Sequence, residues 1–196
     1  MVIAAYLTGS VSFAVVISRL YRLPDPRGYG SGNPGATNVL RSGRKSAAVL
    51  TLLGDSAKGW VAVFAAGHWA GGDAVLAMAL AAVAVTLGHM FPVFHRFQGG
   101  KGVATALGVL LGLNPYLALG TLATWVTIAV FFRYSSLAAL VSAVFAAFFT
   151  LILYNAGHPF FAAVTAVAVL LVWRHQSNIR NLLAGKERKL GARGND

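Results

Sequence analysis

The chain has 196 residues, of which 57% are hydrophobic and only 11% are charged, with a formal net charge of +11. A soluble domain carries about 25% charged residues, so this composition excludes a soluble globular class and indicates one polytopic membrane domain, residues 1–196. The sequence contains no cysteine, which excludes disulfides, thiolate catalysis and cysteine-based metal sites.

About 20 apolar residues cross the hydrocarbon core as a helix, and we predict an all-α bundle of seven transmembrane helices. The predicted spans are residues 1–21, 46–66, 74–94, 103–113, 116–132, 137–154 and 160–173. The first run lacks a basic leader and a cleavage pattern, so it is interpreted as a retained span. The fourth is short, and Asn114-Pro115 separates it from the fifth. It is therefore a tilted or re-entrant piece, or part of one long kinked span.

The charged residues indicate an orientation with the N-terminus outside and the C-terminus in the cytoplasm. The inner segments are then residues 22–45 and 95–102, the Arg133 turn and the tail from Arg174. Every Lys and Arg lies in one of these segments or within a span near its inner end, as Arg19 and Lys58 do. The short outer loops 67–73, 112–115 and 155–159 contain none, which is the asymmetry of the positive-inside rule. Merging the fourth and fifth spans would destroy this asymmetry, so the charges favour seven.

The first inner segment contains a small, polar stretch, residues 30–38, that reads Gly-Ser-Gly-Asn-Pro-Gly-Ala-Thr-Asn, and Arg41 follows it. Glycines let backbone N–H groups approach a ligand, and the arginine fork matches a phosphate or carboxylate. Pro34 keeps Asn33 extended, and a short helix is expected from Ala36. The stretch predicts an anion-binding loop, although the same residue types are typical of an ordinary turn-rich loop.

The second inner segment reads Gly99-Gly100-Lys101-Gly102 just before an apolar helix, which predicts a phosphate cradle. It is not a Walker A loop, because position 95 is His and Gly102 stands where Ser or Thr is needed. Upstream, His89 lies at the end of a span, where a lone histidine is more typical of a helix-packing partner than of a base.

The third inner segment contains His175 and Asn178, which share one face if the segment is helical. The following cations Lys186, Arg188 and Lys189 are typical of a tail held at anionic lipid headgroups. That interpretation does not explain His175, Asn178 or Glu187.

Two further pairs have structural interpretations. Asp55 and Lys58 lie three residues apart inside the second span, where an ion pair is expected. His68 and Asp73 spell the His-x4-Asp signature of a soluble-facing glycerolipid acyltransferase class. They lie in a predicted outer loop without a cation nearby, so we do not expect them to be catalytic.

Together, these stretches resemble the acyl-phosphate:glycerol-3-phosphate acyltransferase family of bacterial membrane enzymes. The matching motifs stand at residues 30–41, 88–105 and 174–187, with Asp55-x-x-Lys58-Gly59 as a further element. The resemblance implies transfer of an acyl group from acyl phosphate to the 1-hydroxyl of glycerol 3-phosphate, the first acylation of phospholipid synthesis. It also implies no cofactor or metal, a monomer in the bacterial cytoplasmic membrane and a site facing the cytoplasm. Beyond the net charge, nothing in the sequence supports a nucleic-acid partner.

The resemblance also implies the site residues. The reaction centre is expected to contain Ser31, Arg41, Lys101, His175 and Asn178. The residues expected to bind substrate are Gly32, Asn33, Gly35, Thr37, Asn38, His89, Gly99, Gly100, Gly102, Thr105 and Glu187. Lys101 and the N–H groups of Gly99, Gly100 and Gly102 would hold one phosphate, and Arg41 the other. Ser31 and Asn178 would orient the attacking hydroxyl or the carbonyl oxygen, and the general base is either His175 or a substrate phosphate oxygen.

Two other classes remain as alternatives. A transporter for a phosphorylated solute would also need anion-binding loops, but it predicts polar residues along a path to the outer face, where the outer loops have no cation. A structural membrane protein that binds lipid headgroups would need only scattered Lys and Arg, without the fixed glycine spacing.

Overall fold

The computed structural model describes residues 1–191, which form a bundle of α-helices. The helices are α1 Val2–Gly9, α2 Phe13–Leu20, α3 Ala36–Leu40, α4 Lys45–Trp69, α5 Ala74–Met90, α6 Val103–Leu113, α7 Pro115–Phe132, α8 Ser135–Tyr154, α9 Pro159–Arg174 and α10 Gln176–Leu183, with a 3₁₀ turn at Val93–His95. Helices therefore lie in all seven predicted apolar segments. The short helix expected from Ala36 is confirmed as α3.

Helix length separates these segments into two groups. Five stretches are long and apolar enough to cross a membrane, and α9 makes a sixth if it is joined to α10 across a 58° bend. By contrast, α6 has 11 residues and is about 16 Å long, roughly half the hydrocarbon thickness. The chain is thus an all-helical polytopic membrane protein with five to six candidate spans in residues 1–191, fewer than the seven predicted.

The break between α6 and α7 is local and sharp. Asn114 is extended, and its Oδ1 accepts a hydrogen bond from the N–H of Tyr116 at 2.8 Å. Pro115 occupies the first turn of α7, where its missing N–H costs nothing. The two helices therefore do not form one continuous kinked span.

The first predicted span is also broken, which the sequence did not predict. Residues 11–12 between α1 and α2 are not helical, so backbone groups are released at membrane depth. Lys58 donates to the freed carbonyl of Val11 at 2.7 Å, and the hydroxyl of Ser12 caps α2. Lys58 thus lies near the middle of α4 and not near its inner end, as the charge pattern had suggested.

The expected Asp55–Lys58 ion pair is confirmed, with Lys58 Nζ 2.8 Å from Asp55 Oδ1 and both side chains 2% exposed. His89 of α5 joins the pair, because its Nδ1 lies 3.6 Å from Asp55 and 3.1 Å from Thr105 Oγ1. Removing one partner of such a buried pair typically costs about 3–5 kcal/mol. The cluster therefore fixes α4, α5 and α6 against the break in the first span.

Glycines let two helix pairs approach closely, as is common where lipid removes the hydrophobic drive for helix association. A Cβ on Gly108 of α6 would lie 1.8 Å from the carbonyl oxygen of Ser56 in α4. Likewise, a Cβ on Gly88 of α5 would lie 2.1 Å from the carbonyl oxygen of Tyr6 in α1. These contacts fix the last turn of α5 and the middle of α6 in the bundle, and the loop between the two helices is positioned by both.

Candidate active site

The three predicted inner segments meet at one end of the bundle around an open cavity of about 770 Å³. Its lining residues are Arg27, Gly30, Ser31, Gly32, Asn33, Pro34, Arg41, Phe97, Gln98, Gly99, Lys101, Arg174, Ser177, Asn178, Asn181, Lys186, Glu187 and Arg188. The three segments therefore surround one common cavity.

The first wall is the glycine-rich loop before α3. Gly30 and Gly32 have φ values of 62° and 66°, a left-handed conformation in which a side chain is strained. Asn38 holds the loop from beneath, with its Oδ1 3.0 Å from the N–H of Ser31 and its Nδ2 2.7 Å from the carbonyl of Pro26. Asn38 is buried and outside the cavity lining, so it shapes the loop and presents Ser31 to the cavity.

The second wall is the loop from Gly99 to Gly102, held by α5 and α9. The N–H of Gly100 donates to the carbonyl of His89 at 3.1 Å, so it is not free for phosphate, and that part of the prediction is wrong. A Cβ on Gly100 would lie 2.1 Å from His89 Nε2, so there is no room for a side chain at this position. Arg174 donates to the carbonyls of Gly99 and Gly100 at 2.9 and 3.3 Å. The loop is therefore fixed before any anion binds.

The third wall of the cavity is formed by α10 and the segment that follows it. Lys101 projects from the second wall into a polar network on this third wall. Its ammonium donates to Asn178 Oδ1, and Asn178 Nδ2 donates to Glu187 Oε1 at 2.6 Å. Burial lowers the pKa of Lys101 from its usual value. Glu187 opposes this shift of the pKa, whereas Arg174 and Arg41 add to it. The lysine is thus positioned by an amide rather than by a direct ion pair.

The electrostatics of the cavity favour anions. In residues 1–191, Glu187 is the only carboxylate in the lining, against Arg27, Arg41, Lys101, Arg174 and two further cations. Burial lowers the pKa of Arg41, and Arg188 lowers it further, whereas Glu187 raises it. Such a concentration of donors and positive charge fits groups with several anionic oxygens, above all phosphate.

Comparison with known proteins decides the family. The model of the glycerol-3-phosphate acyltransferase family matches residues 1–185. The chain belongs to the glycerol-3-phosphate acyltransferase family. The enzyme of Ralstonia pickettii is 64% identical over 192 residues, covering 96% of this chain and 92% of that protein. The enzyme of Cupriavidus taiwanensis is 61% identical over 191 residues, covering 96% of this chain and 94% of that protein.

A solved structure shares the fold of this acyltransferase. It is the crystal structure of PlsY (YgiH), an integral membrane glycerol 3-phosphate acyltransferase, in its glycerol 3-phosphate form. It is 38% identical, with a TM-score of 0.89, and the match covers 97% of this chain and 94% of that chain. A second crystal structure of the same protein, in its lysophosphatidic acid form, matches with a TM-score of 0.86. The resemblance inferred from the motifs is thus confirmed at the level of the family.

The acyltransferase brings half of the predicted site residues to the cavity surface. These are Ser31, Gly32, Asn33, Arg41, Gly99, Lys101, Asn178 and Glu187. The others lie outside the lining. They are Gly35, Thr37, Asn38, His89, Gly100, Gly102, Thr105 and His175.

His175 differs most from its predicted place. Its side chain is buried, and its Nδ1 lies 2.7 Å from the carbonyl of Leu171, one turn earlier in α9. A carbonyl only accepts, so Nδ1 carries the proton and Nε2 is the free acceptor. His175 and Asn178 therefore do not face the same space, although they are three residues apart.

Sequence reasoning missed several cations of the site. Arg27 lines the cavity and is paired with Asp25 at 2.6 Å; its hydrogen bond lowers the pKa of Asp25 to about 2. The sequence interpretation of a tail held at lipid headgroups is wrong for Lys186 and Arg188, which line the cavity because the tail after α10 folds back. The position of Arg27 just before the glycine-rich loop was the available signal.

The His-x4-Asp pair lies elsewhere. His68 stands at the far end of α4 and stacks on Phe64, with ring centroids 6.1 Å apart. Asp73 caps α5 by accepting a hydrogen bond from the N–H of Leu76 at 3.0 Å. Since α4 is about 37 Å long and its opposite end follows Arg41, this pair has a structural role.

Proposed function

We propose that this glycerol-3-phosphate acyltransferase uses acyl phosphate as its donor and makes 1-acylglycerol 3-phosphate and inorganic phosphate. The 1-hydroxyl oxygen of glycerol 3-phosphate forms the new ester bond, and the bond from the acyl carbon to the phosphate oxygen breaks. Because both substrates carry phosphate, the observation that supports this proposal most strongly is the cationic cavity, built from glycine-rich loops.

The side chains at the cavity have distinct proposed roles. Lys101 stabilises the phosphate that leaves, because charge accumulates on that group in the transition state. Arg41 binds the phosphate of glycerol 3-phosphate. Ser31 and Asn178 orient the attacking hydroxyl and the acyl carbonyl, so that the reacting atoms meet in a productive geometry.

A substrate phosphate oxygen is the proposed general base. Both substrates bring such an oxygen into the cavity, and His175 lies outside its lining. Four other predicted residues hold the loops rather than contact substrate, as their hydrogen bonds and close contacts indicate. They are Asn38, His89, Gly100 and Thr105.

The acyl chain is proposed to lie along α8. An apolar groove of about 450 Å³ is lined by Leu140, Val141, Val144, Phe145 and Phe148. Leu140 stands one turn after Ser136, which contacts Glu187 of the cavity. The groove therefore begins about one helical turn from the polar site and is open to lipid, where the tail of a membrane-bound donor resides.

The orientation follows from the charges. We propose one domain, residues 1–196, that acts as a monomer in the bacterial cytoplasmic membrane, with the cavity facing the cytoplasm. The proposed topology has the N-terminus outside and seven helical segments, including the short α6, and its support is that every loop cation would then lie on the cytoplasmic side. Short α6 completes the bundle by packing on α4 and α7.

Purified protein in detergent tests the function directly. With acyl phosphate and glycerol 3-phosphate, it should release inorganic phosphate and form the acylated product in equal amounts. Omission of glycerol 3-phosphate gives the background of spontaneous hydrolysis. The proposal fails if phosphate release does not exceed this background, or if an acyl thioester serves equally well as donor.

Substitution of His175 tests the base. His175→Ala should keep a measurable rate, because the proposed base is a substrate oxygen and the imidazole donates only to Leu171 in residues 1–191. The pH profile of kcat/KM should keep its acid limb, which then belongs to the substrate phosphate. A variant that binds both substrates but has no turnover would instead make His175 the base.

A further inference from the structure

The amide of Asn178 lies between two groups of opposite charge. An ammonium only donates hydrogen bonds and a carboxylate only accepts them. Lys101 therefore requires Oδ1 on its side, and Glu187 requires Nδ2 on the other, which leaves one possible orientation of the amide. Whatever holds Glu187 therefore also determines where the lysine ammonium lies.

Glu187 belongs to the irregular segment after α10. Its N–H donates to the carbonyl of Asn181 in α10 at 3.2 Å, which holds the backbone, so the direction of the carboxylate depends on its side-chain partners. Its Oε1 accepts a hydrogen bond from Ser136 Oγ at 2.6 Å, and Ser136 is in the first turn of α8 and 6% exposed. A helix N-terminus also favours a nearby carboxylate. The segment is also held beside the start of α8, because the N–H of Leu190 donates to the carbonyl of Arg133 at 2.6 Å.

We propose that Ser136 is a positioning residue of the reaction, which fixes the Glu187 carboxylate and, through Asn178, the ammonium of Lys101. Ser136 itself is outside the cavity lining and need not touch substrate. Without its hydroxyl, the carboxylate is free to turn toward Lys101 or Arg188, where it competes with the substrate phosphate. The inference rests on the proposed role of Lys101.

The expected effect is on turnover rather than on binding of the acceptor. A hydrogen bond to a charged group is lost, so Ser136→Ala should lower kcat about tenfold. Because Arg41 is the proposed ligand of the acceptor phosphate, the KM for glycerol 3-phosphate should stay within about twofold. Ser136→Thr keeps a hydroxyl and should restore most of the rate.

The matched control is Ser142→Ala. Ser142 is also buried in α8, but its hydroxyl donates to the carbonyl of Ala138 in its own helix at 2.7 Å. This variant should keep the parental kcat. Thermal midpoints of both variants show whether Ser136→Ala simply unfolds, and an inactive Ser136→Thr enzyme that remains folded would contradict the proposal.

A double-mutant cycle shows whether Ser136 acts through Glu187. In a Glu187→Ala background the hydroxyl has lost its acceptor, so adding Ser136→Ala should change kcat little. An equally large loss in both backgrounds, or full activity of Ser136→Ala, overturns the positioning role. If Lys101→Ala is also fully active, the proposed function of the site has failed as well, which separates the two outcomes.

Discussion

Lys101→Ala should reduce kcat about a thousandfold, the loss typical for a donor that stabilises transition-state charge. The ammonium is half-buried, and Asn178 orients it toward the cavity, so no other side chain replaces it without rearrangement. Initial rates of phosphate release at saturating substrate measure the effect.

Two control variants test whether removing a lysine elsewhere, or removing the histidine of the other motif, also lowers the rate. Lys45→Ala removes an exposed lysine at the start of α4, and His68→Ala removes the histidine of the rival His-x4-Asp signature. Both should keep nearly the parental rate, since neither residue lines the cavity. A strong loss at His68 would mean that the wrong end of the bundle has been assigned to catalysis.

The pH profile tests the same lysine. Burial lowers the pKa of Lys101, so its proton is lost at a lower pH than in an exposed lysine. In the proposed mechanism the protonated form is the active one, and kcat should therefore fall as the pH rises through this lowered value. Residual activity of Lys101→Arg should not show that alkaline limb, because a guanidinium keeps its proton.

Much of the site was predictable because it depends on local sequence. Gly30 and Gly32 adopt left-handed backbone that favours glycine, and Pro34 fixes the chain between them and α3. Apolar length and the Asn114-Pro115 break located the helices within a few residues. These features are set by neighbours in the chain, so a single sequence contains the information.

The remainder depends on contacts between distant segments. Lys186 and Arg188 reach the cavity because Glu187 binds Ser136, 51 residues away, and Leu190 binds Arg133. The N–H of Gly100 is already bonded to the carbonyl of His89, and the imidazole of His175 turns back to Leu171. No local pattern specifies which partner a polar group chooses, so the sequence predicted the members of the site better than their orientations.

Arg41→Ala should lower kcat/KM for glycerol 3-phosphate by about a hundredfold to a thousandfold, as expected when one partner of a hydrogen-bonded charge pair is removed. Arg41 faces the cavity beside the glycine-rich loop before α3. Asn38 Oδ1 lies 3.5 Å from Nη1 of Arg41, which leaves the other N–H groups of the guanidinium available for a phosphate. Most of the loss should appear in the KM for glycerol 3-phosphate. Arg41→Lys keeps the charge but not the fork, so it should recover only part of the loss.

The control for Arg41 is Arg44→Ala, because Arg44 is exposed, lies three residues further on and is outside the cavity lining. It should leave both KM values unchanged. If Arg41→Ala instead raises the KM for acyl phosphate alone, Arg41 binds the donor phosphate. Lys101 would then be the ligand of the acceptor, and the two phosphate sites would exchange places. The same pair of KM measurements thus determines both whether the cavity binds two phosphates and which wall binds each one.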